Sequence, residues 1–397
     1  MNEARLRELL AEIPVPDAEN AERRGLLVVR EAFAQRRPQR HRPRLARLAI
    51  ALAVAAVVGA LLLSPAGAAV RGWIGDTFDA GMPNAERGLA EIPGGGRLLV
   101  ESRSGPWVVE ADGSRRLLGH YREATWSPRG LFVAVAAGRT LSAVEPDGTP
   151  RWSLDARGRI SDPRWSPFRF RIAYRSGRTL RVTTADGSAD HLVAPRTRPP
   201  APAWSPLASY QLAYVSGDGE LRIADSESGT TLASARALSG VRKLEWGGDG
   251  VLLEASRRAL WTRPTALPDP GGTVRIGSPH RLSIPDGDGH VRDAALSPSG
   301  RSVAVLLGVH GPRSDVLLYP AAGGRPRRLL SVPGRLGQIA WAPDGSRLLV
   351  TWPGADQWLF LPRSGEGRAL AGVAAAFAPG HSSAAFPRVE GWCCHAR

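Results

Sequence analysis

One short phrase returns along most of the chain: a Trp, a small residue, Pro, then a turn and an apolar strand. It reads Trp126-Ser127-Pro128-Arg129-Gly130 before Leu131 to Ala136, then Trp165-Ser166-Pro167 before Ile172-Ala173-Tyr174. It returns as Trp204-Ser205-Pro206 before Leu212-Ala213-Tyr214 and as Trp246-Gly247-Gly248-Asp249-Gly250 before Val251-Leu252-Leu253. Leu296-Ser297-Pro298-Ser299-Gly300 and Trp341-Ala342-Pro343-Asp344-Gly345 follow, and Phe377-Ala378-Pro379-Gly380 reads as a worn last copy. The steps between copies are 39, 39, 42, 50, 45 and 36 residues.

Each unit has a second half. A hairpin follows the phrase and its strand, often around Asp-Gly: Asp112-Gly113, Asp147-Gly148 and Asp186-Gly187 are the clearest. Asp-Gly between short apolar runs marks a tight turn, because Gly accepts the positive φ that the turn needs. Weaker hairpins start near Leu221, Leu260, Val316 and Gln357, which makes seven in all with the three Asp-Gly turns. A period of about 40–45 residues with strands in every unit is the pattern of a β-propeller blade. The expected fold is all-β, a propeller of about seven blades. Runs such as Val133-Ala134-Val135-Ala136 and Val303-Ala304-Val305-Leu306 are apolar on both faces, as befits a blade held between two others. On that reading Trp126, Trp165, Trp204, Trp246 and Trp341 serve the repeat, filling the gap between blades rather than forming a ligand cage. A stretch around Ala384 to Val389 is expected to complete the blade that begins near Arg97.

The phrase is similar to the WD40-like propeller repeat of TolB-type bacterial proteins, whose pattern runs Trp-Ser-Pro-Asp-Gly before an apolar strand. Trp341-Ala342-Pro343-Asp344-Gly345-Ser346-Arg347-Leu348-Leu349-Val350 carries the likeness best, and it extends over residues 90–390. The resemblance implies a fold and leaves function open, since such propellers serve as binding platforms, enzyme lids and scaffolds. No Trp-Asp dipeptide closes a unit, as it does in eukaryotic WD repeats.

A different segment precedes the repeats. Residues 48–70 carry no charge and are long enough to span a hydrocarbon core of about 30 Å. Arg36, Arg37, Arg40, Arg42, Arg44 and Arg47 crowd the N-terminal side, which predicts a cytoplasmic N-terminus and an external propeller. Ala66-Gly67-Ala68 would suit a cleaved signal peptide, but the charged preamble is far longer than an n-region. The layout expected is therefore a basic helical segment over 1–47, a membrane helix over 48–70, a linker over 71–96, the propeller over 97–390 and a tail over 391–397.

Within 1–47, Leu6, Leu9, Leu10 and Ile13 make one helical stripe, and Leu26, Val29 and Phe33 make another beyond Pro14 and Pro16. Two short amphipathic helices bury little by themselves. This layout resembles that of transmembrane anti-sigma factors, with a small cytoplasmic helical domain, one span and an external sensor. The His-xxx-Cys-xx-Cys zinc pattern of one branch is absent, so the resemblance carries no residues across. Two readings stay open: 1–47 as a basic topology signal, or as a partner-binding segment that holds a cytoplasmic sigma factor through Leu9, Leu10, Val29 and Phe33.

Charge and chemistry narrow the rest. The net charge is +15, and of 52 basic residues only Lys243 is lysine. A propeller so basic suits an anionic envelope polymer, envelope protein or lipid headgroups; outside a membrane, nucleic acid is not an expected partner. The eight histidines show no metal-ligand spacing, no Gly-x-Ser-x-Gly elbow is present, and neither an enzyme nor a cofactor is expected. Asp286-Gly287-Asp288-Gly289-His290 reads as a Gly-rich turn and lacks the closing Glu of a calcium loop. Cys393 and Cys394 are adjacent, and an intermolecular disulfide or an inert tail is expected of them. The chain is thus expected to be a single-pass protein of the cytoplasmic membrane that displays a binding propeller outside, with a transmembrane regulator as the alternative. A converging acid–base cluster in the channel would favour a degenerate propeller enzyme instead.

Overall fold

A computed structural model describes residues 85–87, 91–168, 171–266, 274–285, 289–309, 311, 313–378 and 385–394. The helical segment with Leu9, Leu10, Val29 and Phe33, the 48–70 span, and Asp286 and Asp288 lie outside the described residues. No helix among the described residues is long and apolar enough to cross a membrane.

Seven antiparallel sheets carry the fold, one per blade, each built mainly from four strands. The second blade shows the plan, with Glu123–Trp126 innermost, then Val133–Ala137, Thr140–Val144 and Pro150–Asp155. Alternate residues on its second strand face different neighbours. Val133 and Val135 pack on Leu99 and Val108 of the first blade, whereas Ala134 and Ala136 pack on Ile160, Trp165 and Tyr174 of the third. Both faces are dry, which is why the strand is apolar at every position.

The ring closes twice. Arg388–Cys393 is the inner strand of the first blade and pairs antiparallel with Arg97–Ser102. At the far edge of the seventh blade, Ala85–Arg87 pairs parallel with Ala369–Ala371. So the sequence segments bounding the repeats are exchanged: part of the expected linker joins the last blade, and part of the expected tail joins the first. The closing strand also lies later than the Ala384 to Val389 stretch expected of it.

The worn copy of the phrase moves for the same reason. Phe377 caps the short helix Val373–Ala376, buried between Trp107 and Trp358 with ring centroids 5.8 and 5.6 Å away. The seventh repeat position is Trp392-Cys393, where Trp392 pairs with Leu98 as Trp126 pairs with Val133. Trp392 meets Phe360 of the seventh blade edge-on at 5.6 Å and donates its indole N–H to the Gly95 carbonyl at 2.9 Å. Its turn is completed by residues from the other end of the domain. Cys393 and Cys394 are joined to each other within the chain, in place of the intermolecular bridge or inert tail expected.

Elsewhere the phrase works as a local device. Ser127 and Ser297 are buried and accept the Phe132 and Ser302 amides on their hydroxyls at 3.0 and 3.1 Å. Gly130 has φ +63, and a Cβ there would run into Arg97 and the Cys394 sulfur, so only glycine fits.

Candidate functional site

In a four-stranded antiparallel blade the connections alternate between two ends of the ring, and charge alternates with them. One end collects the hairpins between second and third strands and the links from each outer strand to the next inner strand. In the first blade these carry Arg103 and Arg122; in the second, Arg139, Arg157 and Arg159. The third adds Arg178 and Arg196, the fourth Arg242, the fifth Arg257 and Arg258, and the sixth Arg335. All are exposed, and none of them has a carboxylate partner among the described residues. Their backbones are spoken for: the carbonyls of Arg139, Arg159, Arg178 and Arg196 accept from Ala156, Gly177, Thr197 and Gly217 at 2.7–2.9 Å. The peptide groups knit the rim together, Arg139 Nε adds a bond to the Ala156 carbonyl at 2.9 Å, and the other guanidinium groups of the rim have no side-chain hydrogen bond among the described residues. Asp218 and Asp356, the described acids in these connections, are engaged by Arg222 and by the Ala374 amide.

The opposite end is different. Glu110, Asp112, Glu145, Asp147, Asp186, Glu227, Asp249 and Glu366 sit in its turns, with Arg129, Arg301, Arg325 and Arg363 among them. The Asp-Gly turns that mark the hairpins in sequence are the source of this acidity. Hydrogen bonds from Ser114, Thr149 and Thr184 with Ser188 hold the carboxyls of Asp112, Asp147 and Asp186 below the usual range, Asp186 at about 2. Turn chemistry places acids on one face, while arginines gather on the other.

Polar side chains in the channel tie blades together. Glu123 accepts the Asp162 amide of the next blade at 2.5 Å, Glu245 accepts Leu296 at 2.6 Å, Asp293 accepts Ile339 at 2.9 Å, and Gln338 accepts Val389 at 3.0 Å. The tryptophans tie in the reverse direction. Trp204 and Trp341 donate to the Arg164 and Ala295 carbonyls of the preceding blade at 2.9 and 3.0 Å. Trp246 instead bonds Thr265 in its own blade at 3.1 Å, and Trp126 lies beneath the Arg97 guanidinium at 4.9 Å. Trp165 is buried without a partner for its indole N–H among the described residues. Lys243 bridges Glu245 at 3.2 Å and Asp293 at 3.0 Å; desolvation opposes its charge, and the two carboxylates outweigh it. Carboxylates committed to amides and a lysine held between them are poor proton shuttles. Among the described residues no three His, Cys, Asp or Glu side chains converge as metal ligands.

Burial raises two carboxyls near the inner strands, Glu123 and, further, Glu101 on the second strand of the first blade. Burial, then the neighbouring Glu390, raises the Glu101 carboxyl to about 7, with Arg388 opposing. A carboxyl raised on folding costs stability as pH climbs from its unfolded value of 4.5 to its folded value of about 7. Glu101→Gln is therefore expected to raise the melting temperature near pH 7, with the difference from wild type vanishing at pH 4.5. Thermal scans of both proteins across that window check it.

The arginine rim was the feature that sequence reading missed. Its signal was present in the Gly138-Arg139 and Gly177-Arg178 turns, which occupy equivalent hairpins.

Two comparisons place the fold. The β-propeller domain of Cps50 (Swd1) from Myceliophteria thermophila matches 68% of this chain and 95% of its own, with TM-score 0.54 and 14% identity. A chain of the mitotic checkpoint complex matches 72% of this chain and 94% of its own, with TM-score 0.50 and 17% identity. At such identities the likeness is one of fold: a seven-bladed, WD40-like β-propeller. No family model matches the chain, and no curated protein does.

Proposed function

We propose that the protein is a single-pass, membrane-anchored binding platform whose external propeller holds an acidic partner on its arginine-ringed face. The partner class is an acidic envelope protein or polymer, and the anchor is the 48–70 segment. The observation that carries this reading is the segregation of charge among the described residues: guanidinium groups without a carboxylate partner around one mouth and acidic turns around the other. Such a field steers an anionic partner and orients its approach. TolB-type likeness in the phrase and the occupied channel carboxylates support a non-catalytic role. In a second reading, resting on the Leu6 to Ile13 and Leu26 to Phe33 stripes, residues 1–47 hold a sigma factor and the propeller is its sensor. Loss of a cytoplasmic partner on Leu9→Asp with Phe33→Asp would support that reading.

The platform is tested with full-length protein in detergent and immobilised polyglutamate, with binding followed across salt concentration. Wild type is expected to bind and to weaken steeply with salt. Arg139→Glu with Arg178→Glu and Arg196→Glu should cost at least about tenfold in affinity. Arg129→Glu with Arg325→Glu, on the other face, should cost less than about twofold. Equal losses from both variants would count against an oriented platform.

A further inference from the structure

On the arginine-ringed face, a cleft of about 860 Å³ opens between the fifth and sixth blades. Arg257 and Arg258 enter it from the hairpin after Val251–Ala255, and Arg281 enters from the outer strand His280–Leu282. Ser283 and His290 complete a polar wall, while half-buried Ile284 supplies an apolar patch over the buried Leu282. Behind His290 lie Arg292 on the same inner strand and Arg335 from the next link. Gly308 faces this pair across the sheet, and a Cβ there would collide with the His290 ring and Arg292 Nε. The missing side chain makes the room in which both lie.

Among the described residues no carboxylate pairs with these charges. Arg292 Nε is buried without a partner, and its only hydrogen bond among the described residues is a long one, 3.4 Å, to the Leu336 carbonyl. Burial and then Arg335 disfavour the charge on Arg292. Burial and then Arg292, Arg257 and Arg335 hold the His290 imidazole below its ordinary value. The nearest described carboxylate in sequence, Asp293, is committed to Lys243 and the Ile339 amide. Like charges gathered with no carboxylate among the described residues suit an anion as ligand.

We infer that this cleft is a binding site for a phosphate ester, with the phosphate among Arg257, Arg258, Arg281 and His290 and the organic part against Ile284. A carboxylate satisfies one guanidinium fork, whereas a phosphate dianion offers oxygens to several forks and to the Ser283 hydroxyl. The volume exceeds that of a bare phosphate, and the apolar patch suits an attached carbon chain. The inference rests on the face being the working surface, and it names the ligand chemistry there.

The test uses full-length protein in detergent, titrated calorimetrically with glycerol 3-phosphate, alongside flotation with phosphatidylglycerol or phosphatidylcholine vesicles. Saturable binding of the soluble ester supports a free phosphate ester as ligand. Binding of phosphatidylglycerol vesicles alone, lost on Arg258→Glu with Arg281→Glu, supports a lipid headgroup. In either case that variant should lose at least about tenfold in affinity, and Arg139→Glu with Arg178→Glu less than about threefold. Failure of both probes would overturn the inference, as would equal losses in the two arginine variants. Binding that appears only after Asp286→Asn with Asp288→Asn would overturn it too, by making the arginines counter-ions of that segment. Failure of the polyglutamate test with cleft binding intact would separate the platform from the site.

Discussion

Glu254→Ala is expected to destabilise the propeller by about 3–5 kcal/mol, the usual cost of stranding one member of a buried ion pair. Glu254 is fully buried and accepts Arg263 Nε at 2.6 Å on one oxygen and the Leu238 amide at 2.6 Å on the other. Arg263 in turn donates to the Arg236 carbonyl at 2.7 Å and lies over Trp261 at 5.2 Å. The pair therefore fastens the fifth blade to the end of the fourth. Removing the carboxylate leaves a guanidinium in a dry site and an amide without its acceptor. Glu254→Leu with Arg263→Met should recover part of the loss, because no charge is stranded although the Leu238 amide still lacks its acceptor. Denaturant unfolding of wild type and the two variants measures both effects. A single variant as stable as wild type would show that the site is wet.

Trp392→Ala is expected to cost about 3–5 kcal/mol, the range for emptying a large aromatic site in a core. Trp392 stands where the ring closes, in one cluster with Leu98 of the first blade and Leu349 and Phe360 of the seventh. Trp392→Phe keeps most of the volume and loses the 2.9 Å bond to the Gly95 carbonyl, and should cost about 1–2 kcal/mol. Because the closing strand holds both ends of the ring, the alanine variant should also be cut faster by protease near residues 91–97. Unchanged proteolysis with lowered stability would place Trp392 in an ordinary core rather than at the clasp.

The blades were legible because their signals are local. Trp, Pro and Gly at fixed offsets define a turn, and a strand dry on both faces betrays its neighbours, so seven units could be read from residues such as Trp126 and Trp341. Closure was legible in kind and displaced in place. Phe377 carries the phrase Phe-Ala-Pro-Gly yet belongs to a helix end, while Trp392 carries no Pro or Gly of its own because its turn is finished by the segment before Arg97. A pattern split between distant parts of a chain has no local spacing to detect.

The candidate site was less visible. Arginines at Arg139, Arg178 and Arg257 look scattered along the sequence, and only the alternation of connections around a ring brings them to one mouth. Glu254 reads as an interruption of Val251-Leu252-Leu253, and its partner Arg263 lies on the next strand. The channel carboxylates are the converse case: Glu123 and Asp293 could pass for acid–base candidates, but each gives an oxygen to the next blade's backbone.

The account turns on which face of the propeller meets a partner. A photo-crosslinking residue placed in the native host at position 139 or 178 samples one face, and at position 147 or 186 the other. Crosslinked products from 139 and 178, weakened by high salt and absent from 147 and 186, are the predicted result. Products from the Asp-Gly turns alone would contradict it.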